Sequence, residues 1–168
     1  MSNWLPAEEW DRIQQVLPIL CVDLMPVRHR MDASGFDVGL ILRETPHQGQ
    51  RWCLIGGRVR HLETLRNALS REWESALGTE FSPENLLSTR PEVVEYRPDT
   101  IPGRPHDPRK HAVAATYVVL ADGEHTATGG EALSFRWFHL EDLSPDLVGF
   151  GQETLVAGLL EIAAASER

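Results

Sequence analysis

The chain is poor in the residues that staple, span or bind without discrimination. It has two cysteines in 168 residues. Cys21 and Cys53 both lie in apolar, strand-like runs with no histidine or second cysteine at ligand spacing, which excludes a disulfide scaffold or zinc module and leaves two buried free thiols. No apolar stretch approaches the roughly 18 residues of a membrane span. No cationic segment followed by an apolar one opens the chain, so a cytoplasmic location is expected. Positive charge is also short: 16 cationic against 25 acidic residues give a formal net charge of −9. That balance argues against nucleic acid or anionic membrane as a partner. A polyanionic ligand would need a locally basic pocket, and all cationic residues but Lys110 are arginine, whose planar fork suits phosphate.

What is present fits one well-packed domain of ordinary composition, 42% hydrophobic and 24% charged. Leu5 to Leu17 opens with proline and acids in a first helical turn, and Trp10, Ile13 and Leu17 share one face. Ile19 to Val27 reads as a strand interrupted near Pro26, and Phe36 to Arg43 as a second. Trp52 to Ile55 is a third apolar run, broken by Gly56-Gly57. From Leu62 the apolar positions Leu62, Leu65, Leu69, Trp73 and Leu77 recur at helical spacing, and Gly78 stands where a left-handed C-cap belongs. Val93 to Tyr96, His111 to Leu120 and Leu133 to Leu140 complete the strands, with a proline-rich irregular segment over residues 97–110 and a C-terminal helix carrying Leu155, Val156, Leu159, Leu160 and Ala163 on one face. Strands and helices in this order predict an α/β fold with a mixed sheet between helices. Residues 1–18 read as an N-terminal helical extension to a domain of residues 19–168.

Gly57, Glu63, Arg71, Glu72 and Gly78 keep the spacing of G-x(5)-E-x(7)-R-E-U-x-E-E-x-G-U, with U aliphatic. The chain thereby resembles the nudix hydrolase superfamily, and the resemblance implies a nudix-like α/β/α sandwich. The signature is degenerate: Trp73 is an oversized U, Ser75 and Ala76 replace two glutamates, and Thr79 replaces the last aliphatic residue. Gly56-Gly57-Arg58-Val59, Glu63-Thr64-Leu65, Tyr117-Val118-Val119 and Arg136-Trp137 are similar to GDP-mannose mannosyl hydrolases. The whole is also similar to an actinobacterial nudix-like family of unknown function.

The resemblance implies a Mg2+ site on the signature helix. Glu72, the Gly57 carbonyl and Glu131 are the candidate ligands, with Glu72 and Glu131 as the catalytic carboxylates. One or two carboxylates suffice for a largely hydrated Mg2+, so weak binding without substrate is expected. Where mannosyl hydrolases carry a basic histidine beside the loop position, this chain has Ala132. Glu63 and Arg71, eight residues apart, read as an orienting ion pair, and Gly78 as structural. Arg58, Arg60, Arg104, Arg109 and Lys110 are candidates for binding phosphate, against the plainer reading of solvated surface cations. His106 and His111 are general-base candidates without a visible partner. The first functional reading is a Mg2+-dependent hydrolase of a nucleoside diphosphate linked to another moiety, such as a sugar. The second is an inactive domain that binds such a ligand for regulation. The third is assembly through the apolar ends, with a homodimer as the partner.

Overall fold

The computed structural model describes residues 5–32, 35–99, 101–121 and 123–166. The first helix, α1 (Ala7–Val16), turns Trp10 and Ile13 onto the sheet. Strand β1 (Ile19–His29) is central, flanked by β2 (Phe36–Thr45) and β4 (Ile55–Arg58) on one side and by β6 (Ala112–Leu120) on the other. The β1–β6 pairing is parallel over nine residues, from Ile19↔Ala112 to Val27↔Leu120. β3 (Gly49–Cys53) and β7 (Ser134–Phe138) pair with β2, and β5 (Glu92–Tyr96) closes the far edge against β6.

Helix α2 (Leu65–Leu77) covers one face of this mixed seven-stranded sheet and α3 (Glu153–Ser166) the other. Alternation along β1 serves both layers. Val22 and Leu24 pack with Leu69, Trp73 and Leu77 of α2, while Met25 and Val27 pack with Val156, Leu159 and Ala163 of α3. The fold is the α/β/α sandwich.

Three local expectations are corrected. Pro26 does not interrupt β1: it falls where the antiparallel partner changes from β4, ending at Leu24↔Ile55, to β2, starting at Val27↔Val38. A missing N–H is tolerated at such a changeover. Gly56 and Gly57 do not break a strand either, because both lie within β4, opposite Asp23 and Val22. The break comes at Leu54, where the chain leaves β2 for β1. Finally, α2 starts three residues later than the apolar spacing predicts. The Thr64 hydroxyl accepts the Asn67 N–H at 3.2 Å as an N-cap, and Leu62 is outside the helix, exposed, with φ 61°. Gly78 is the left-handed C-cap, with φ 67°.

Candidate active site

β4 pairs with β1 alone among the described strands, so its other edge is open, and a pocket of about 370 Å3 lies along it. That volume is in the range of small-molecule sites. α2 supplies Arg71, Glu72, Ser75 and Ala76 to its walls; β1 supplies Cys21 and Asp23; β4 and the turn after it supply Gly57, Arg58 and Arg60. The proline-rich segment contributes Asp107, Arg109 and Lys110, and the loop before β7 contributes Gly130 and Glu131.

The late start of α2 lets Glu63 fold back. Arg71 donates to Glu63 through Nε at 2.7 Å and Nη2 at 2.8 Å, and Nη2 also reaches the Arg58 carbonyl at 3.0 Å. Its Nη1 pairs with Glu72. The Arg60 N–H donates to Glu63 Oε2 at 2.8 Å, so one guanidinium ties the 58–63 turn to the helix. Hydrogen bonding from Arg71 holds the Glu63 carboxyl below its ordinary range, and the same bond raises the already high value of Arg71.

Glu72 lies against Gly57 so closely that a Cβ there would overlap the carboxylate, with Cδ at 2.6 Å and Oε2 at 2.9 Å. Only glycine admits that contact. Glu131 is largely exposed on the facing wall and pairs with Arg43. Among the described residues, no three His, Cys, Asp or Glu side chains form a metal-binding group. Gly57 and Glu72 are thus brought together, while Glu131 is held by an arginine.

Of the phosphate-binding candidates, Arg58, Arg60, Arg109 and Lys110 line the pocket and Arg104 does not. Arg58 stacks its guanidinium 4.1 Å from the Trp10 ring centroid, and burial, then Arg60 and Arg71, lower its pKa. Arg109 donates to Asp107 through Nε at 3.0 Å and Nη2 at 2.8 Å. Burial pushes the Asp107 carboxyl up, and the Arg109 bonds outweigh it, so the net direction is down. His106 and His111 lie outside the lining.

The departures from the signature have physical partners. The Trp73 indole N–H donates to the Thr79 hydroxyl at 3.1 Å, so the oversized residue and the polar one answer each other. Ser75 Oγ lies 2.6 Å from where a Gly130 Cβ would be, and Ala76 is buried among core residues while also touching the pocket.

Sequence reasoning missed a hydrogen-bonded trio in the lining, Asp23, Tyr96 and Gln152. Asp23 on β1 is 8% exposed, and burial pushes its carboxyl up to about 6 against the opposing hydrogen bond from Tyr96. Tyr96 donates to Asp23 Oδ2 at 2.8 Å, and Gln152 donates to the Tyr96 oxygen at 2.7 Å while its Oε1 takes the Leu54 N–H at 3.0 Å. The available signal was one acid in the otherwise apolar run Ile19 to Val27.

A family model described as a domain of unknown function, DUF4916, matches residues 1–164. The chain belongs to that family. It also belongs to the nudix hydrolase superfamily by its fold and signature. It is 32% identical over 121 residues to the low-salt glycan biosynthesis protein Agl8 of Haloferax volcanii, covering 72% of this chain and 70% of that protein. Among solved structures it is similar to a Jonesia denitrificans protein described as a possible asymmetric diadenosine tetraphosphate hydrolase, with TM-score 0.68, 31% identity, 89% of this chain and 96% of that one. It is also similar to a MutT nudix hydrolase of Burkholderia pseudomallei, with TM-score 0.59, 28% identity, 83% of this chain and 97% of that one.

Proposed function

We propose that this DUF4916 protein is a Mg2+-dependent hydrolase of a nucleoside diphosphate linked to another moiety, with a nucleotide sugar as the favoured substrate class. The observation that carries the reading is the gathering of Arg58, Arg60, Arg71, Arg109 and Lys110 around one glycine–glutamate contact in a protein of net charge −9. Clustered cations on an acidic chain focus a polyanion on that spot. Agl8, named for glycan biosynthesis, adds support for a sugar-linked substrate.

Glu72 would hold a largely hydrated Mg2+, with the Gly57 carbonyl and Glu131 as the further oxygen ligands; the chemistry the ion would supply is neutralisation of diphosphate charge. Arg58 and Arg60 orient the diphosphate, and Arg109 and Lys110 close over it from the proline-rich segment. Arg71 positions Glu72 rather than touching substrate. The helical extension expected over residues 1–18, of which 1–4 lie outside the described residues, brings Trp10 to the pocket rim through α1, and the enzyme works in the cytoplasm.

The second reading, a binding domain without turnover, is favoured by Ser75 and Ala76 and by the engagement of both Glu72 and Glu131 with arginines. Hydrolysis of ADP-ribose, GDP-mannose and UDP-glucose by wild type and Glu72→Gln, with and without Mg2+, decides between them. Mg2+-dependent turnover lost in Glu72→Gln upholds the enzyme. Binding without turnover under every condition establishes the binding domain instead.

A further inference from the structure

Asp23 is a buried carboxylate of the pocket lining to which the proposed reaction gives no task. Asp23 stands opposite Gly56 in the β1–β4 pairing, and its Oδ1 fills the space where a Gly56 Cβ would be. Glu72 does the same at Gly57. Consecutive strand residues face opposite sides of a sheet, so the two carboxylates cover the glycine pair from opposite faces, and the open edge of β4 runs between them.

The hydrogen bonds around Asp23 fix its orientation. Tyr96 donates to Oδ2, and Tyr96 is itself held by Gln152, which is held by the Leu54 N–H. An ionised carboxylate has about four acceptor sites. Among the described residues, Tyr96 is the one side chain that donates to it, so Oδ1 on the pocket wall keeps acceptor capacity that the protein does not use.

We propose that Asp23 is a specificity-determining residue: it accepts a hydrogen bond from an N–H or O–H of the uncharged part of a diphosphate-linked substrate, placing that part on the Gly56 face of β4 and the diphosphate on the Gly57 face. The inference rests on the diphosphate reading of the site. Like charge keeps phosphate away from Asp23, whereas Leu54 and Phe150 give the same pocket apolar wall that suits a ring. A buried acceptor of this kind discriminates strongly, because a ligand without the donor leaves it unpaired.

Calorimetric titration of wild type, Asp23→Asn and Tyr96→Phe tests this with inorganic pyrophosphate and with the pairs ADP and ADP-ribose, GDP and GDP-mannose, UDP and UDP-glucose. Asp23→Asn keeps the shape, and with Tyr96 still donating to its carbonyl it turns an NH2 donor toward the ligand. Its affinity for the best wild-type nucleotide should fall roughly 10- to 100-fold, with pyrophosphate affinity unchanged within about 2-fold. A fall on bare and linked nucleotides alike assigns the donor to the nucleoside, and a fall confined to the linked forms assigns it to the sugar; both uphold the acceptor. Tyr96→Phe leaves the carboxylate but frees its orientation, and should weaken the same nucleotide by less than about 10-fold while sparing pyrophosphate; it carries the test if Asp23→Asn does not fold. No loss for nucleotides, or an equal loss for pyrophosphate, overturns the role of Asp23 with the diphosphate reading intact. Wild type that binds neither pyrophosphate nor any nucleotide overturns both.

Discussion

Two carboxylate clusters flank the same pair of glycines, and the protein handles their charge in opposite ways. On the α2 face, Glu63 and Glu72 share one guanidinium, and hydrogen bonding from Arg71 holds the Glu63 carboxyl below its ordinary range. On the other face, the hydrogen-bond partner of Asp23 among the described residues is the neutral Tyr96, itself held by Gln152, and burial pushes the Asp23 carboxyl up to about 6. The paired cluster ties a turn to a helix. The unpaired one opposes folding at neutral pH, and groups of that kind concentrate where ligands bind.

Breaking the pair should have the largest effect. Arg71→Met leaves Glu63 and Glu72, both mostly buried, without a counter-charge and releases the Arg58 carbonyl. A loss of about 3 kcal/mol is expected, seen in urea unfolding as a fall in midpoint. The Glu63 contribution is present above the ordinary carboxylate range and lost as pH falls through its lowered pKa, so the difference between wild type and Arg71→Met should shrink on acidification.

The glycines separate the two faces next. A Gly56 Cβ would meet the Val22 carbonyl at 2.5 Å as well as Asp23, and backbone cannot move aside. Gly56→Ala should cost about 2 kcal/mol, Gly57→Ala only about 1, because the latter displaces a side chain. Pyrophosphate binding should respond in the reverse order, with Gly57→Ala the weaker binder by calorimetry.

Asp23→Asn should change stability in the opposite direction. With a folded pKa of about 6 against an ordinary 3.8, the contribution of Asp23 to wild-type stability is most favourable below 3.8, declines as pH rises to about 6 and is level above it. The substitution should therefore stabilise by on the order of 2 kcal/mol at pH 8 and by nothing near pH 3.5, measured by urea unfolding at both. Thr79→Val should act on stability alone. Loss of the Trp73 N–H partner should cost about 1 kcal/mol and alter tryptophan emission, without a change in ligand affinity.

The α2 cluster was the legible half of the site. Glu63, Arg71 and Glu72 are close in sequence, and eight-residue spacing brings Glu63 to Arg71 once the helix starts after it. The start itself was misread because Leu62 continues the apolar spacing, whereas the Thr64 cap decides where the helix begins. The Asp23 cluster was not legible, since its partners lie 73 residues away in Tyr96 and, from Tyr96, a further 56 away in Gln152. Such contacts depend on strand order. The parallel β1–β6 pairing, with β5 beyond it, brings Tyr96 across to Asp23, and no local pattern encodes that register. The glycine pair was legible as a special feature and misjudged as a break, because close approach of a side chain and a chain reversal both require glycine.

The central claim is that a diphosphate sits on the Gly57 face with the uncharged remainder of its ligand on the Gly56 face. A crystal structure of the protein with Mg2+ and the tightest-binding nucleotide of the panel tests it most directly. The account predicts phosphate oxygens among Arg58, Arg60 and Glu72, and an N–H or O–H of the ligand within hydrogen-bond distance of Asp23 Oδ1. A ligand bound elsewhere, or bound with its phosphates against Asp23, would contradict it.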